Sequence, residues 1–241
     1  MNIGIILAGG TGSRLGGEIP KQFIEVLGKP VLAYTIEILQ NHTEIDAIEI
    51  VCLESYHSYL QEIINKYNFS KVKWIVNGGN TFQKSVLNGI IYLQEKINNE
   101  DIVVVHYAAS PFVSEEIISD GIRVAKEKEN SASATPCFLL MGSNDNGVKS
   151  TKWVDREKIM QLNSPQCFKF GYVCSLYQKA VGMGILEDVE PHTTSLMYYM
   201  GETIYFSKGN QTNIKITTKE DLELFEGYVL MKQRKYNTDN N

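Results

Sequence analysis

The sequence of 241 residues contains no apolar run of about 18 residues, the length that a membrane-spanning helix needs. Its first apolar segment begins directly after Met1-Asn2 without a charged leader, so we expect a cytoplasmic protein that does not enter a membrane. A basic surplus is also missing, because 23 Lys and Arg stand against 28 Asp and Glu, for a net charge of −5. This balance argues against an extended nucleic-acid surface, whereas a small anionic ligand needs only a few local cations.

Metal-binding and disulfide patterns are absent as well. The cysteines are far apart and form no C-x-x-C pair, and the histidines show no H-x-x-x-H spacing; the residues are Cys52, Cys137, Cys167, Cys174, His42, His57, His106 and His192. We therefore expect small buried thiols, neither a zinc site nor a disulfide framework, and we assign no residue as a metal ligand.

Apolar strands and amphipathic helices alternate through the first half of the chain. Strands are predicted at 3–7, 47–53, 72–76 and 101–106, and helices at 30–40, 56–67, 86–97 and 114–128. With 43% apolar residues there is enough material for a large core, and no linker divides the chain. We predict one α/β domain over 1–241, with a mostly parallel twisted sheet and helices on both faces.

The alternation breaks between 131 and 170. Strands are predicted at 131–140 and 150–162, joined by a loop whose Asn146-Gly147 step favours a hairpin turn. A two-stranded excursion buries little against itself, so we interpret 138–165 as an arm that reaches a second subunit in a homodimer. The remaining predicted elements are helices at 171–183 and 193–200, strands at 202–206 and 213–217, and a helix at 218–234.

The segment after the first strand carries the main functional signal. Without Cβ atoms at Gly9, Gly10 and Gly12, backbone N–H groups can approach a polyphosphate closely. Arg14 and Lys21 add the positive charge that a phosphoryl-transfer transition state requires. Although a glycine-rich turn alone is often only structural, two cations beside bare backbone favour a nucleotide site.

Two familiar glycine loops do not match this segment. A P-loop places Lys followed by Ser or Thr directly after its last Gly, but Gly12 is followed by Ser13-Arg14. In the dinucleotide pattern G-x-G-x-x-G the third Gly would fall on Leu15. Both alternatives are therefore excluded.

Further blocks in the same order extend the pattern over nearly the whole chain. They are Leu7-Ala8-Gly9-Gly10, Pro20-Lys21-Gln22-Phe23, Gly78-Gly79 with Ser85-Val86, the turn from His106 to Pro111, Asp155-Arg156, Ser164-Pro165-Gln166 and Asn213-Ile214-Lys215-Ile216-Thr217. In these blocks the sequence resembles the cytidylyltransferases that make CDP-alditols, the family of ribitol-5-phosphate cytidylyltransferase and 4-diphosphocytidyl-2-C-methyl-D-erythritol synthase. The resemblance implies a Rossmann-like nucleotidyltransferase fold and two substrates, CTP and a phosphorylated polyol.

The resemblance also implies roles for individual residues. It implies nucleotide binding by Ala8, Gly9, Gly10, Thr11, Gly12, Gly79, Asn80, Ser85 and Ala108. It implies catalytic roles for three cations: Arg14 and Lys21 grip the triphosphate, and Lys215 lies beside the α-phosphate. Arg156 would reach the phosphate of the acceptor across the dimer interface, and Mg²⁺ would be held mainly by the CTP phosphates.

The sequence departs from the family pattern on the acceptor side. The turn that reads His-Asp-Ala-x-Arg-Pro in the family has Tyr107 and Ser110 in place of Asp and Arg; we place both residues in the acceptor site. Phe82 replaces another family Arg, for which Lys84 is near enough in sequence to supply charge, and His192 stands in a turn that is usually acidic. Three alternatives stay open: an alditol-phosphate cytidylyltransferase for surface-polymer synthesis, the methylerythritol-phosphate enzyme of isoprenoid synthesis, and a weakly active CTP-binding paralogue.

Overall fold

The structure is a computed structural model, and it describes residues 1–10 and 19–239. Its strands are β1 (Asn2–Ala8), β2 (Glu25–Val26), β3 (Lys29–Pro30), β4 (Ala47–Cys52), β5 (Val72–Asn77), β6 (Ile102–Tyr107), β7 (Asn130–Pro136), β8 (Met141–Gly142), β9 (Trp153–Val154), β10 (Met160–Lys169) and β11 (Phe206–Lys208). Its α-helices are α1 (Val31–Asn41), α2 (His57–Lys66), α3 (Phe82–Leu93), α4 (Glu115–Lys128), α5 (Phe170–Met183), α6 (Thr193–Tyr199) and α7 (Lys219–Asp239).

Seven of these strands form one sheet in the order β11-β7-β10-β6-β1-β4-β5. All of them run in the same direction except β10, which pairs antiparallel with both β6 and β7. The predicted mostly parallel α/β sheet is thereby confirmed. After β1 the chain moves outward through β4 and β5 and then returns to the other side of β1 as β6. The boundary between β1 and β6 is therefore a topological switch point, where ligands bind in open α/β sheets.

Side chains that alternate along the strands supply a core on each face of the sheet. On β4, Ile48 and Ile50 pack on the side of α1, α2 and α4, while Ala47 and Val51 pack on the side of α3 and α5. Each fully buried Val or Ile side chain contributes roughly 1.5–3 kcal/mol to folding. The strands that carry the loops of the C-terminal edge are therefore packed on both faces.

Glu49 is the exception within this apolar packing. It lies on β4 between Ala47 and Val51, is fully buried, and its carboxylate oxygens have no hydrogen-bond partner among the described residues. Helix α3 passes so close at Gly89 that a Cβ atom there would lie 2.4 Å from the Glu49 Oε1 atom. Burial raises the pKa of Glu49 to about 8, against a smaller opposing effect of the Lys96 ammonium.

The predicted arm is a projection between the central strands β7 and β10. The predicted strands at 131–140 and 150–162 have the wrong bounds, because the sheet pairing of β7 ends at Pro136 and β10 begins only at Met160. Between them β8 and β9 form a short antiparallel ladder. Several large apolar side chains of this projection are exposed: Phe138, Leu139, Leu140, Met141, Val148 and Trp153.

Two predicted strands in the C-terminal part are wrong. The strand expected at 202–206 begins only at Phe206, where it pairs with Ala132 of β7. The segment 213–217 forms no strand, because it crosses the end of the sheet and bonds there through the Ile216 N–H group to the Ala109 carbonyl. Helix α7 then packs Phe225 against the same end of the molecule. Across 1–10 and 19–239, no helix has the length and hydrophobicity to cross a membrane.

Candidate active site

A cleft of about 350 Å³ opens at the C-terminal ends of β1, β5 and β6, at the topological switch point. The described residues that line it are Leu7, Gly9, Gly10, Lys21, Gln22, Gly79, Asn80, Thr81, Phe82, Ser85, Tyr107, Ala108, Ala109, Lys215 and Thr217. Most of the site residues expected from the sequence therefore meet in one place. Thr11, Gly12 and Arg14 lie outside the described residues.

Gln22 stabilises the backbone of the first glycine turn. Its amide nitrogen donates to the Ala8 carbonyl at 2.7 Å and to the Gly10 carbonyl at 2.9 Å, and its side chain is buried. Ala8 is buried at the end of β1, whereas Gly9 and Gly10 line the cleft. Gln22 had no predicted role, although a polar residue between Lys21 and the apolar Phe23 is the available signal for such a support.

The second glycine turn follows β5 and leads into α3. The Gly79 N–H group donates to the Ser85 hydroxyl at 3.1 Å, and that hydroxyl donates to the Thr81 carbonyl at 2.9 Å. Thr81 is the N-cap residue of α3 and accepts a hydrogen bond from the Lys84 N–H group at 3.2 Å. A Cβ atom on Gly79 would lie 2.4 Å from the Lys84 Cβ atom, so only glycine fits there. Asn80 lines the cleft beside this turn.

Two of the predicted cations lie in the cleft. Lys21, in a short 3₁₀ turn over Lys21–Phe23, donates from Nζ to the Ile216 carbonyl at 2.5 Å. This bond ties the N-terminal loop to the segment that carries Lys215, which is itself anchored by the Ile216 N–H group. Lys21 and Lys215 therefore line the same cleft as both glycine turns, and a polyphosphate bound there would need their positive charge.

The residues of the turn after β6 differ in whether they reach the cleft. Ala108 lines the cleft, but Ser110 is buried beneath the turn and is not among the residues that line it. The Ser110 carbonyl accepts from the His106 Nε2 atom at 2.9 Å, and burial lowers the pKa of His106 to about 4. His106 is thus a neutral residue that supports the turn. The acceptor-binding role of Ser110 stays a prediction.

Tyr107 forms one wall of the cleft. Its hydroxyl bonds to the Nδ1 atom of His192 at 2.7 Å and accepts from the Gln166 amide at 3.3 Å. The ammonium of Lys215 lies over the Tyr107 ring, 4.4 Å from its centroid. Burial raises the pKa of Tyr107 far above its usual value, so the phenol keeps its proton.

Phe82, which lines the cleft, and His192, which lies behind the lining, both pack against Tyr107, and neither had a predicted role in the site. The two rings lie 5.8 Å apart, and each contacts Tyr107 at 5.9 and 5.7 Å between centroids. The expectation that Lys84 supplies charge here finds no support, because Lys84 forms a surface ion pair with Glu187. The usable signal was that both aromatic residues stand where the family pattern has charged ones.

Arg156 lies on the projection rather than in the cleft. It begins a 3₁₀ turn over Arg156–Lys158, is exposed, and donates to the Phe138 carbonyl at 2.8 Å. A contact of Arg156 with an acceptor bound to a partner subunit stays a prediction.

Carboxylates are missing from the described lining of the cleft. Over the same described part of the chain, no cluster of three or more His, Cys, Asp or Glu residues could hold a metal ion. For the binding of phosphates, the described lining of the cleft therefore provides exposed backbone at the glycine turns and the ammonium groups of Lys21 and Lys215.

Comparisons with known proteins agree with this geometry. The family model described as IspD, 2-C-methyl-D-erythritol 4-phosphate cytidylyltransferase, matches residues 3–231. The chain is 34% identical over 229 residues to a protein from Lacticaseibacillus paracasei named ribitol-5-phosphate cytidylyltransferase, with 95% of this chain and 98% of the relative covered. It is 39% identical over 224 residues to a protein from Clostridium acetobutylicum named 2-C-methyl-D-erythritol 4-phosphate cytidylyltransferase, with coverages of 92% and 94%.

The fold is also similar to a solved one. The crystal structure of 4-diphosphocytidyl-2C-methyl-D-erythritol synthase from Anaerococcus prevotii aligns with a TM-score of 0.78, covering 95% of this chain and 96% of that chain. At 22% identity this likeness concerns the fold alone. The extent of the family match and of the two sequence matches confirms the assignment made from the motifs. The chain belongs to the IspD family of cytidylyltransferases.

Proposed function

We propose that this protein transfers CMP from CTP to the phosphate of a small polyol, such as ribitol 5-phosphate, and releases pyrophosphate. The observation that carries the proposal is the meeting of two glycine turns with Lys21 and Lys215 in one cleft at the switch point of the sheet. Several relatives that are over 30% identical bear the name ribitol-5-phosphate cytidylyltransferase. The protein would then act in the cytoplasm and supply an activated alditol for the synthesis of a surface polymer.

The chemistry needs charge and alignment more than proton transfer. An oxygen of the acceptor phosphate attacks the α-phosphorus of CTP in line, the bond to the β-phosphate bridging oxygen breaks, and pyrophosphate leaves. A phosphate monoester has a second pKa of about 6, so the attacking oxygen is already ionised near neutral pH and no general base is needed. Lys21 would hold the triphosphate and Lys215 the α-phosphate, where negative charge accumulates.

Mg²⁺ belongs to the proposal as a partner of the nucleotide. Because the described lining of the cleft has no Asp or Glu, the cation would take its oxygen ligands from the triphosphate and from water. When bound it would neutralise charge on the triphosphate. We assign it no ligand from this chain and place no step on it.

The acceptor is tested by pyrophosphate release from CTP with a panel of phosphorylated polyols. We expect turnover with ribitol 5-phosphate or a related alditol phosphate. The second candidate is 2-C-methyl-D-erythritol 4-phosphate, which the 39% identity to the clostridial relative favours. CTP binding by calorimetry without turnover of any acceptor would contradict the enzyme proposal and indicate a binding role.

The role of Lys21 is tested by Lys21→Ala. Because its ammonium would contact the triphosphate in the transition state, we expect kcat/KM to fall by about a hundredfold or more. Lys179→Ala is the matched control, since Lys179 is exposed on α5 and does not line the cleft. Equal activity of the two variants would mean that the first loop does not bind the triphosphate.

We propose also that the protein is a homodimer joined through the projection at 137–159. Six large apolar side chains are exposed on this short projection, and Leu140 and Trp153 are 86% and 73% exposed. Exposed apolar patches of this kind are typical of protein interfaces. A partner subunit there would also bring Arg156 toward the acceptor of the neighbouring cleft.

A further inference from the structure

Tyr107, in the wall of the cleft, contacts the Lys215 ammonium with the face of its ring. Both residues line the cleft, and the Lys215 Nζ atom lies 4.4 Å from the centroid of the Tyr107 ring. A cation over an aromatic face is attracted by the ring quadrupole, and the attraction increases when the contact is shielded from water. Such a contact orients an ammonium group without neutralising it, whereas a carboxylate in the same place would form an ion pair.

The Tyr107 ring is held in place at its hydroxyl. The Gln166 amide donates to the phenol oxygen at 3.3 Å. Because the buried phenol keeps its proton, that proton needs an acceptor, and the His192 Nδ1 atom at 2.7 Å supplies one. This arrangement fixes His192 in the tautomer that carries its proton on Nε2. Phe82 packs edge-on against the ring at 5.9 Å. Contacts with Gln166, His192 and Phe82 therefore fix the plane of the Tyr107 ring under Lys215.

His192 is in turn fixed by a buried hydrogen-bond chain. Its carbonyl accepts from the Gln83 amide at 2.9 Å, and the Gln83 carbonyl oxygen accepts from the Tyr177 hydroxyl at 2.7 Å. The Tyr177 hydroxyl also lies 3.1 Å from the Thr193 hydroxyl, and all three supporting side chains are buried. Polar groups that are buried and satisfied in this way hold one geometry, because breaking any bond leaves a desolvated partner.

His192 remains neutral in this setting. Burial is the largest cause that lowers the pKa of His192, and the nearby Lys215 ammonium lowers this pKa further, whereas Glu190 raises it. An unprotonated Nδ1 atom is what the Tyr107 hydroxyl needs as an acceptor. A neutral ring also avoids placing a second positive charge beside Lys215.

We propose that Tyr107 is a positioning residue for Lys215, and that the hydrogen bond from Tyr107 to His192 locks the ring on which the ammonium rests. The inference rests on the proposed function for its kinetic consequence, in which the oriented Lys215 ammonium acts on the α-phosphate. It assigns Tyr107 a task that does not require contact with the acceptor.

The kinetic test compares Tyr107→Leu with Tyr107→Phe. Removing the ring should lower kcat by about thirtyfold, the rate equivalent of a partly desolvated cation–π contact, with little change in the KM for CTP. Keeping the ring but losing the hydroxyl should cost only about fivefold. Tyr198→Leu, at an exposed position of α6, is the control and should match wild type. A Tyr107→Leu enzyme within threefold of wild type would overturn the proposal.

The lock is tested by pairing substitutions at Tyr107 and His192. His192→Phe removes the acceptor and should cost about fivefold, whereas His192→Asn supplies a carbonyl oxygen near the former Nδ1 position and should retain most activity. Because both positions serve one hydrogen bond, Tyr107→Phe combined with His192→Phe should cost no more than either change alone. Multiplicative losses in the double variant would show that the two residues act independently.

A spectroscopic test is independent of turnover. Lysines carrying ¹³C-methyl groups after reductive methylation give separate NMR signals, and Lys215→Ala identifies the Lys215 signal by its loss. The Tyr107 ring current should shift this signal upfield in wild type and in Tyr107→Phe, but not in Tyr107→Leu. A missing shift in wild type overturns the inference. A present shift in a protein that turns over no acceptor would instead refute only the proposed function.

Discussion

The buried carboxyl group of Glu49 leads to a quantitative prediction about stability. The unfolded chain loses this proton near pH 4.5, whereas the folded protein holds it up to about pH 8. Between these values the folded state binds more protons, so rising pH favours unfolding by about 1.4 kcal/mol per unit. The full interval corresponds to a loss on the order of 5 kcal/mol, which is a large part of the stability of an ordinary domain.

Glu49→Gln removes the ionisation with almost no change in shape, which matters because α3 leaves no room at Gly89. The amide brings its own unsatisfied donors, so the absolute stability of the variant is a poor criterion. The informative quantity is the difference in unfolding free energy between variant and wild type, which should shift in favour of the variant by about 1.4 kcal/mol for each pH unit between 5 and 8.

The assay is urea unfolding followed by circular dichroism at pH 5, 6, 7 and 8, with wild type and variants at the same protein concentration so that association affects them equally. Glu62→Gln, at an exposed position of α2, is the control, and its difference from wild type should not change with pH. If the Glu49→Gln and wild-type profiles run parallel over this range, the carboxyl group is not held neutral by burial and the reasoning is wrong.

Three further predictions concern the cleft and the projection. Gly79→Ala should weaken CTP binding at least tenfold in calorimetry, because the added methyl group would overlap Lys84 and displace the turn; an unchanged Kd would refute the close approach. Gln22→Leu should lower the unfolding free energy by about 2 kcal/mol, since it removes the donor to the buried Ala8 carbonyl and to the Gly10 carbonyl; a loss under 0.5 kcal/mol in urea unfolding would contradict that support. Replacing Leu140 and Trp153 together by Glu should give a monomer in sedimentation, and a persistent dimer would place the interface elsewhere.

Much of the site could be predicted because its parts follow strands whose pattern is unambiguous. The strand before Gly9 and the strand before Gly78 are short apolar runs that end at glycine pairs, and parallel strands of one sheet end at the same edge. Lys21 and Lys215 were placed by their motif blocks rather than by periodicity, and the structure brings both to that edge.

The parts that sequence reasoning missed depend on contacts between distant segments. Alternation in Asn213-Ile214-Lys215-Ile216-Thr217 looks like a strand, but the segment crosses the sheet end and finds its partner at Ala109. The link of Tyr107 to His192 spans 85 positions and has no local pattern. Glu49 illustrates the same limit. A charged residue that alternates with apolar neighbours along a strand suggests an exposed face, but helices cover both faces of β4.

The bond from Lys21 to the Ile216 carbonyl joins residues 195 positions apart. During synthesis both glycine turns and Lys21 leave the ribosome before the segment that brings Lys215 and binds Lys21. Contacts of such long sequence separation form late, because the chain between them must be ordered first. A chain synthesised only as far as the second glycine turn would thus carry Lys21 without its partner carbonyl and without the second cation of the cleft.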